Sequence, residues 1–482
     1  MKLLDSNLLK QTCYIAGQWV EAEDGATVPV YNPSTGDIIA SVPELGQKST
    51  LLAIAAAEKA QKLWMKRTAK ERSVVLKCWY QLIIDNTDDL ASILTSEQGK
   101  PFLEAKGEIA YAASFIEWFA EEAKRSYGEV IPSHKPNSRL VVSKEPVGVV
   151  GAITPWNFPA AMITRKCGPA FAAGCAVVLK PAPETPLTAF ALAELAERAG
   201  IPSGLFNVIT GNAIEIGGAL TQSKKVKKIS FTGSTAIGKL LMEQSASTVK
   251  KLSLELGGNA PFIIFDDADL DAAVDGVMIA KFRNAGQTCV CANRLFVHDA
   301  VYEQFAEKLI SRVAELRVDD GFVPGSMIGP LINKAAVQKV QSHIDDAISK
   351  GAKHAFGQAQ PAGTNFFPPQ ILTEVNDDML VARDETFGPL AALFRFKSDD
   401  EVISRANDTD SGLAAYAYTR SLQRAWRVSE ELEAGMVGIN EGLISTEVAP
   451  FGGVKESGLG REGARQGLDD YLETKYVMMG GL

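Results

Sequence analysis

What this sequence lacks narrows it first. Its four histidines, His134, His298, His343 and His354, are scattered at no metal-ligand spacing, so no catalytic metal is expected. The six cysteines, Cys13, Cys78, Cys167, Cys175, Cys289 and Cys291, include no C-x-x-C pair and are too few for a disulfide framework in 482 residues. A reducing compartment is the natural reading. There is no G-x-S-x-G elbow, which lowers serine-hydrolase chemistry. A basic surface is missing too: 49 Lys and Arg against 58 Asp and Glu leave a net charge of −9, the opposite of what a nucleic-acid backbone demands. Apolar runs are broken by glycine, proline or charge well short of a membrane span. The opening residues MKLLDSNLLKQTCYIAG show neither a secretory nor a transit pattern. A cytoplasmic protein with no membrane or nucleic-acid partner is expected.

What is present is an alternation. Residues 50–64, 69–99 and 101–125 predict helices, the last with Glu104, Lys106 and Glu108 as a charge pattern on one face. VGVVGAIT (147–154), AVVLK (176–180), FNVIT (206–210) and KKISFTG (227–233) read as buried strands. Between them lie a helix ending at Gly174 and another with Thr185 as N-cap and Gly200 beyond its end. Strand and helix in turn predict a parallel sheet covered on both faces, followed by a second α/β stretch from LSLELGGNAPFIIF (252–265) to about residue 450. Residues 126–146 interrupt the first unit with two strand patterns around a polar turn, and the chain ends in a strand-like apolar stretch. Left unpaired, such an edge is costly, so an oligomer is expected.

Four segments carry chemistry. The one G-x-G-x-x-G match, Gly458 to Gly463, follows a Gly-rich loop instead of a strand, so turn glycines are the better reading. FTGSTAIG (231–238) follows a strand and opens a helix, where backbone N–H groups suit a phosphate; alone it is equally a capped turn. Glu255, framed by leucines ahead of Gly257 and Gly258, is either a turn acid or a general base of raised pKa. Cys289 lies in the polar loop RNAGQTCVC before a probable strand, an unusual place for core filler and a fitting one for a nucleophile.

Taken together, TPWNFP (154–159), VLKPA (178–182), FTGSTAIG (231–238), LELGGNAP (254–261), GQTC (286–289), ETFGP (385–389) and PFGGVKESGLGRE (450–462) resemble the aldehyde dehydrogenase superfamily, in its order and over essentially the whole chain. The resemblance implies an α/β fold of two parallel-sheet domains, a Rossmann-type cofactor domain and a catalytic domain, plus a small β oligomerisation arm. The expected boundaries are 1–125 with 144–254 for the cofactor domain, 255–450 for the catalytic domain, and 126–143 with 466–482 for the arm. It implies Cys289 as nucleophile, Asn157 as oxyanion donor and Glu255 as the base that hydrolyses a thioester. Thr154, Pro155, Trp156, Lys180, Gly233, Ser234, Gly238, Leu256, Glu385 and Phe387 are the implied cofactor contacts. Where relatives often carry an acid that repels a 2′-phosphate, this chain has Pro183, with Glu184 next to it. NADP is therefore the expected cofactor, with NAD accepted and no metal.

Arg283 stands where relatives that take apolar aldehydes often have an aromatic residue. With Arg165 and Ser445 it matches the anion-binding positions of succinate-semialdehyde dehydrogenases, glutarate semialdehyde being the nearest competing substrate. Arginine suits a carboxylate through two parallel hydrogen bonds. Cys291 matches a second cysteine that in some members pairs reversibly with the nucleophile, or it is a small pocket-lining side chain. The implied assembly is a homo-oligomer, a dimer or tetramer. A cofactor-free cysteine hydrolase would keep Cys289 and Glu255 but have no use for FTGSTAIG or Glu385. A non-catalytic protein on the same fold would have no need of Cys289, Glu255 and Asn157.

Overall fold

Runs such as VVGAI and AVVLK are buried along their whole length, which is what a strand covered on both faces requires. The computed structural model, which describes residues 1–482, assembles these runs into two main sheets. The first has eight strands, in spatial order Gln18–Val20, Cys13–Ile15, Phe206–Val208, Ala176–Lys180, Val149–Ile153, Val226–Thr232, Lys251–Glu255 and Gly458–Leu459. Its five central strands are parallel, and the flanking ones pair antiparallel. The chain enters at Val149–Ile153, winds outward to one side, and returns to Val226–Thr232 on the other. That reversal leaves a crevice at the carboxyl ends of the two strands.

The second sheet has seven strands, ordered Lys353–Phe356, Gln370–Val375, Leu390–Phe396, Ala292–His298, Ala260–Ile264, Ala414–Tyr418 and Met436–Ile439. All its pairings are parallel except that of the first strand. Each sheet carries its own apolar core. A third, antiparallel sheet joins Glu129–Ile131, Ser138–Pro146 and Leu472–Gly480, the last two paired from Leu472 opposite Pro146 to Gly480 opposite Ser138. No helix is long and apolar enough to cross a membrane.

The structure corrects several expectations. The helix predicted over 69–99 is two, Ala69–Asp85 and Thr87–Gln98, because the Asn86 side chain turns back to donate to the Leu82 carbonyl (2.7 Å). LSLELGG does not open the second unit: Lys251–Glu255 belongs to the first sheet. Gly458–Leu459, within the G-x-G-x-x-G match, pairs antiparallel with that strand, where a Cβ on Gly458 would collide with the Leu254 carbonyl. The charge pattern on helix Phe102–Glu122 is not a solvated face: Glu108 is buried against Lys100, and only Lys106 reaches outward, to Asp88.

Thr185 precedes helix Pro186–Arg198, yet its hydroxyl caps nothing and has no partner. Buried Glu97 does the capping from outside the helix, accepting from Leu187 N (2.7 Å) and Thr188 N (2.8 Å). Glu97→Ala should therefore lower the thermal midpoint clearly, since two buried N–H groups lose their acceptor at a cost of about 1–3 kcal/mol each. Thr185→Val should change it little. Paired thermal melts check this, and equal shifts would reassign the cap.

Candidate active site

Short loops leave the carboxyl ends of the first sheet beside the crevice. Thr154–Asn157 follow strand Val149–Ile153, Gly233 and Ser234 follow Val226–Thr232, and Lys180 and Glu255 end their own strands. The amino ends of the second sheet face them, with Cys289 just ahead of Ala292–His298 and Glu385 just ahead of Leu390–Phe396. Between them lies a cavity of about 270 Å³, lined by Pro155, Trp156, Asn157, Gly233, Ser234, Glu255, Leu256, Cys289, Glu385 and Phe387, together with Met162, Thr232, Gly257, Ala336, Lys339 and Thr386.

Five expected cofactor residues lie off this lining. Thr154 N donates to the Lys180 carbonyl (3.1 Å), tying the neighbouring strand ends together. The Lys180 ammonium is buried, donates to Pro181 O (3.3 Å), and is held below its ordinary pKa by burial, an effect the nearby Glu184 charge opposes. Burial likewise raises Glu184, and Pro183 is exposed. Gly238 is a packing glycine, since a Cβ there would press into the Leu256 side chain.

The lining suits a dinucleotide. Helix Thr235–Ala246 begins at Ser234 with no side chain capping its first N–H groups, which leaves them free for an anion. A Cβ on Gly233 would crowd the Phe231 ring, so only glycine leaves room there. Glu385 is pushed up to about 7 by burial, eased by the Gly258 N–H at 3.3 Å and by the Lys339 and Lys281 charges. Its unmet acceptor capacity suits ribose hydroxyls. Trp156 and Phe387 meet edge to face, centroids 5.6 Å apart, as an aromatic corner of the lining.

The loop that carries Cys289 is bent by two left-handed residues, Asn284 (φ 51°) and Ala285 (φ 55°). Such strain persists only where the surroundings fix it. Here Gln98 Nε2 donates to Asn284 Oδ1 (3.0 Å), Asn284 Nδ2 to Asn157 O (3.0 Å), and Asn157 Nδ2 to Gln287 O (3.0 Å). Cys289 is half-buried, and its thiol is pushed up to about 12 by burial, with Arg165 opposing and Glu385 and Glu255 adding to the rise. Cys291 is buried elsewhere: Lys281 Nζ lies 3.3 Å from its sulfur, and it does not line the cavity.

Behind Cys289 sits a buried charge cluster. Glu255 is held well above the usual carboxylate range by burial and by the Glu462 charge, against Arg165 and Lys166, and its Oε2 has no partner. Glu462 goes the other way: Lys166 and Arg165 overcome its burial and hold it low. Arg165 is thus engaged with Glu462 (3.1 Å) and stacked on Phe451, and it lines neither cavity. Its Nε and Nη2 are buried and make no hydrogen bond, so the Glu462 contact is an ion pair only. Arg283 and Ser445 do meet, in a second cavity of about 260 Å³ with Glu104, Gly107, Glu108, Tyr111, Phe158 and Leu443. The adjacent residues Asn157 and Phe158 face different cavities, one each.

A model of the aldehyde dehydrogenase family matches residues 19–477. The chain belongs to the aldehyde dehydrogenase family. It is 61% identical over 477 residues to a glutarate-semialdehyde dehydrogenase of Pseudomonas putida, covering 99% of each chain. It is 60% identical over 481 residues to an NADP(+) succinate-semialdehyde dehydrogenase of Escherichia coli, covering 100% of each. The crystal structure of succinate-semialdehyde dehydrogenase from Burkholderia pseudomallei superposes with a TM-score of 0.99 at 59% identity over 100% of each chain. The fold is thus that of the aldehyde dehydrogenases.

Sequence reasoning missed Lys100, Glu108, Lys166 and Tyr111. It quoted Glu462 only as the end of a glycine-rich block. For Glu108 and Lys166 the signal was a charge inside an otherwise apolar helix; Lys100, between two helices, and Tyr111 carried no such signal.

The raised Cys289 pKa gives a direct expectation. In the ligand-free protein, alkylation at Cys289 should climb about tenfold per pH unit between pH 7 and 9 without levelling off. Peptide mass spectrometry reads it. A plateau below pH 8 would mean that the thiol ionises early.

Proposed function

We propose that this chain oxidises succinate semialdehyde to succinate, using NADP in the first place and accepting NAD. The observation that carries the reading is that Arg283 and Ser445 line one cavity with Phe158, while the adjacent Asn157 lines the cavity that holds Cys289. An aldehyde spanning the two would place its carbonyl at Cys289 and its carboxylate at Arg283. The Arg283 Nε is buried and without a partner, so a carboxylate would complete it.

The Cys289 thiol gives up its proton to solvent water, its sulfur adds to the carbonyl carbon, and the Asn157 amide with the Cys289 N–H holds the oxyanion, which collapses to the thioester as the C–H hydride leaves. Glu385, Gly233, Ser234, Trp156 and Phe387 would hold a nicotinamide dinucleotide with its reactive ring toward Cys289, and that group would supply the hydride acceptor. Glu255, beside Cys289 in that lining, then takes a proton from the water that attacks the thioester, releasing the acid and the free thiol. Glutarate semialdehyde is the second reading, supported by the relative at 61% identity. One methylene gives only about 1–3 kcal/mol of discrimination, so both substrates turn over. Arg165, fixed by Glu462, sets the positive field behind the site. The absence of an acid at Pro183 supports NADP, as does the NADP(+) relative.

The same reading includes a cytoplasmic location and a homo-oligomer, dimer or tetramer. Strand Leu472–Gly480 is an edge of the arm whose Tyr476, Val477, Met478 and Met479 are exposed, and a second copy would cover it.

Arg283→Ala should cut kcat/KM for succinate semialdehyde on the order of 10–100-fold, the worth of a charged hydrogen bond, and spare a short apolar aldehyde. Equal losses would remove Arg283 from substrate recognition. A second expectation follows from Glu385. Ribose hydroxyls donate to its charged form, so binding releases its proton, and dinucleotide affinity should improve as pH rises through about 7 and then level. Fluorescence titrations from pH 6 to 8.5 check this, with Glu385→Gln flattening that component; identical profiles for both proteins would contradict it.

A further inference from the structure

We infer that the buried Lys100–Glu108 ion pair positions the Asn157 oxyanion donor. The inference rests on reading Asn157 as the oxyanion donor. Lys100 Nζ lies 2.6 Å from Glu108 Oε2, both side chains being 0–1% exposed. The same ammonium donates to the Asn157 carbonyl at 2.8 Å and sits 3.9 Å above the Phe158 ring. The other Glu108 oxygen accepts from Ala160 N (2.9 Å) and Ala161 N (3.3 Å), where helix Ala161–Ala173 begins. One ion pair thus grips the Asn157 segment at both ends, by its carbonyl and by the amides that follow.

Asn284 Nδ2 donates to the Asn157 carbonyl as well, so both lone pairs of that oxygen are used and the peptide plane is fixed. Gln98 completes the frame, holding Asn284 Oδ1 with its amide and accepting from Lys100 N at 2.9 Å. A buried ion pair seldom contributes net stability over an apolar one, so its presence calls for another reason. Fixing a donor to within a fraction of an ångström of a developing charge is such a reason, since the stabilisation depends on preorganisation. Lys100 and Glu108 are positioning residues: Lys100 lines neither cavity, and Glu108 reaches the second one with a carboxylate already engaged.

Two cofactor-free reactions of Cys289 separate positioning from mere folding. Acylation by p-nitrophenyl acetate passes through an oxyanion; alkylation by iodoacetamide does not. Lys100→Met should slow acylation at least tenfold while the alkylation rate of the Cys289 peptide holds within twofold. Asn157→Ala should slow acylation about 10²-fold, and adding Lys100→Met to it should cost nothing more. Glu108→Gln, which keeps the shape and an amide acceptor but drops the ion pair, should repeat the pattern more weakly and serves if Lys100→Met does not fold. Parallel loss of both reactions would overturn the inference by making the pair purely structural. Unchanged acylation in the Lys100 and Glu108 variants, with Asn157→Ala impaired, would overturn it while leaving Asn157 its role. Unchanged acylation in Asn157→Ala would remove the oxyanion reading, and the inference with it.

Discussion

Four residues, Leu256 to Asn259, join the last parallel strand of the first sheet to the first strand of the second. Fully extended they span no more than about 14 Å. That tether forces the carboxyl ends of one sheet against the amino ends of the other, and the site exists because of it. The glycines within it are there for closeness. A Cβ on Gly258 would strike the Cys289 carbonyl, and one on Gly257 would lie 3.2 Å from a Glu385 oxygen. Without Gly258 the Cys289 loop would have to retreat from the crevice, and without Gly257 the Glu385 carboxylate would have to shift by a few tenths of an ångström.

Bringing two sheet ends together buries charge, and the chain arranges that charge by sign. Around Glu255 the cluster is balanced so that one carboxylate of a pair stays low and the other is driven up. Glu462 takes the two cations, Arg165 and Lys166, and its own charge then raises Glu255. Two carboxyls with separated proton affinities, one of them beside Cys289, form an arrangement suited to moving protons. Lys100 and Glu108 neutralise each other, and Arg283, which lines the same cavity as Glu108, keeps its Nε without a hydrogen-bond partner.

Much of this was legible in the sequence, for identifiable reasons. Strands Val149–Ile153 and Ala176–Lys180 announced themselves as apolar runs, since a strand covered on both faces has little polar side to show. Gly174 and Gly200 marked helix ends because both take a left-handed backbone. The site segments were legible as ordered blocks, Asn157, Gly233, Glu255, Cys289 and Glu385 among them, and the fold brings all five to one cavity. Tertiary partners were hidden. A helix period says which residues share a face but not whether a charge on that face finds a counter-charge inside, so Glu108 showed only as part of a charge pattern and its pairing with Lys100 did not. Glu97 caps a helix remote in sequence, which no local pattern encodes. Arg165 was expected with Arg283 and Ser445 at a carboxylate, and its attachment to Glu462 depends on a residue nearly three hundred positions away.

The central claim is that Cys289 is acylated during turnover and that Glu255 drives its release. The most direct measurement is a single turnover of Glu255→Gln with saturating NADP and succinate semialdehyde, followed by mass spectrometry of the Cys289 peptide. The account predicts one equivalent of reduced dinucleotide per subunit, then a stall, with a succinyl group retained on Cys289. Uninterrupted turnover with Cys289 unmodified would contradict it.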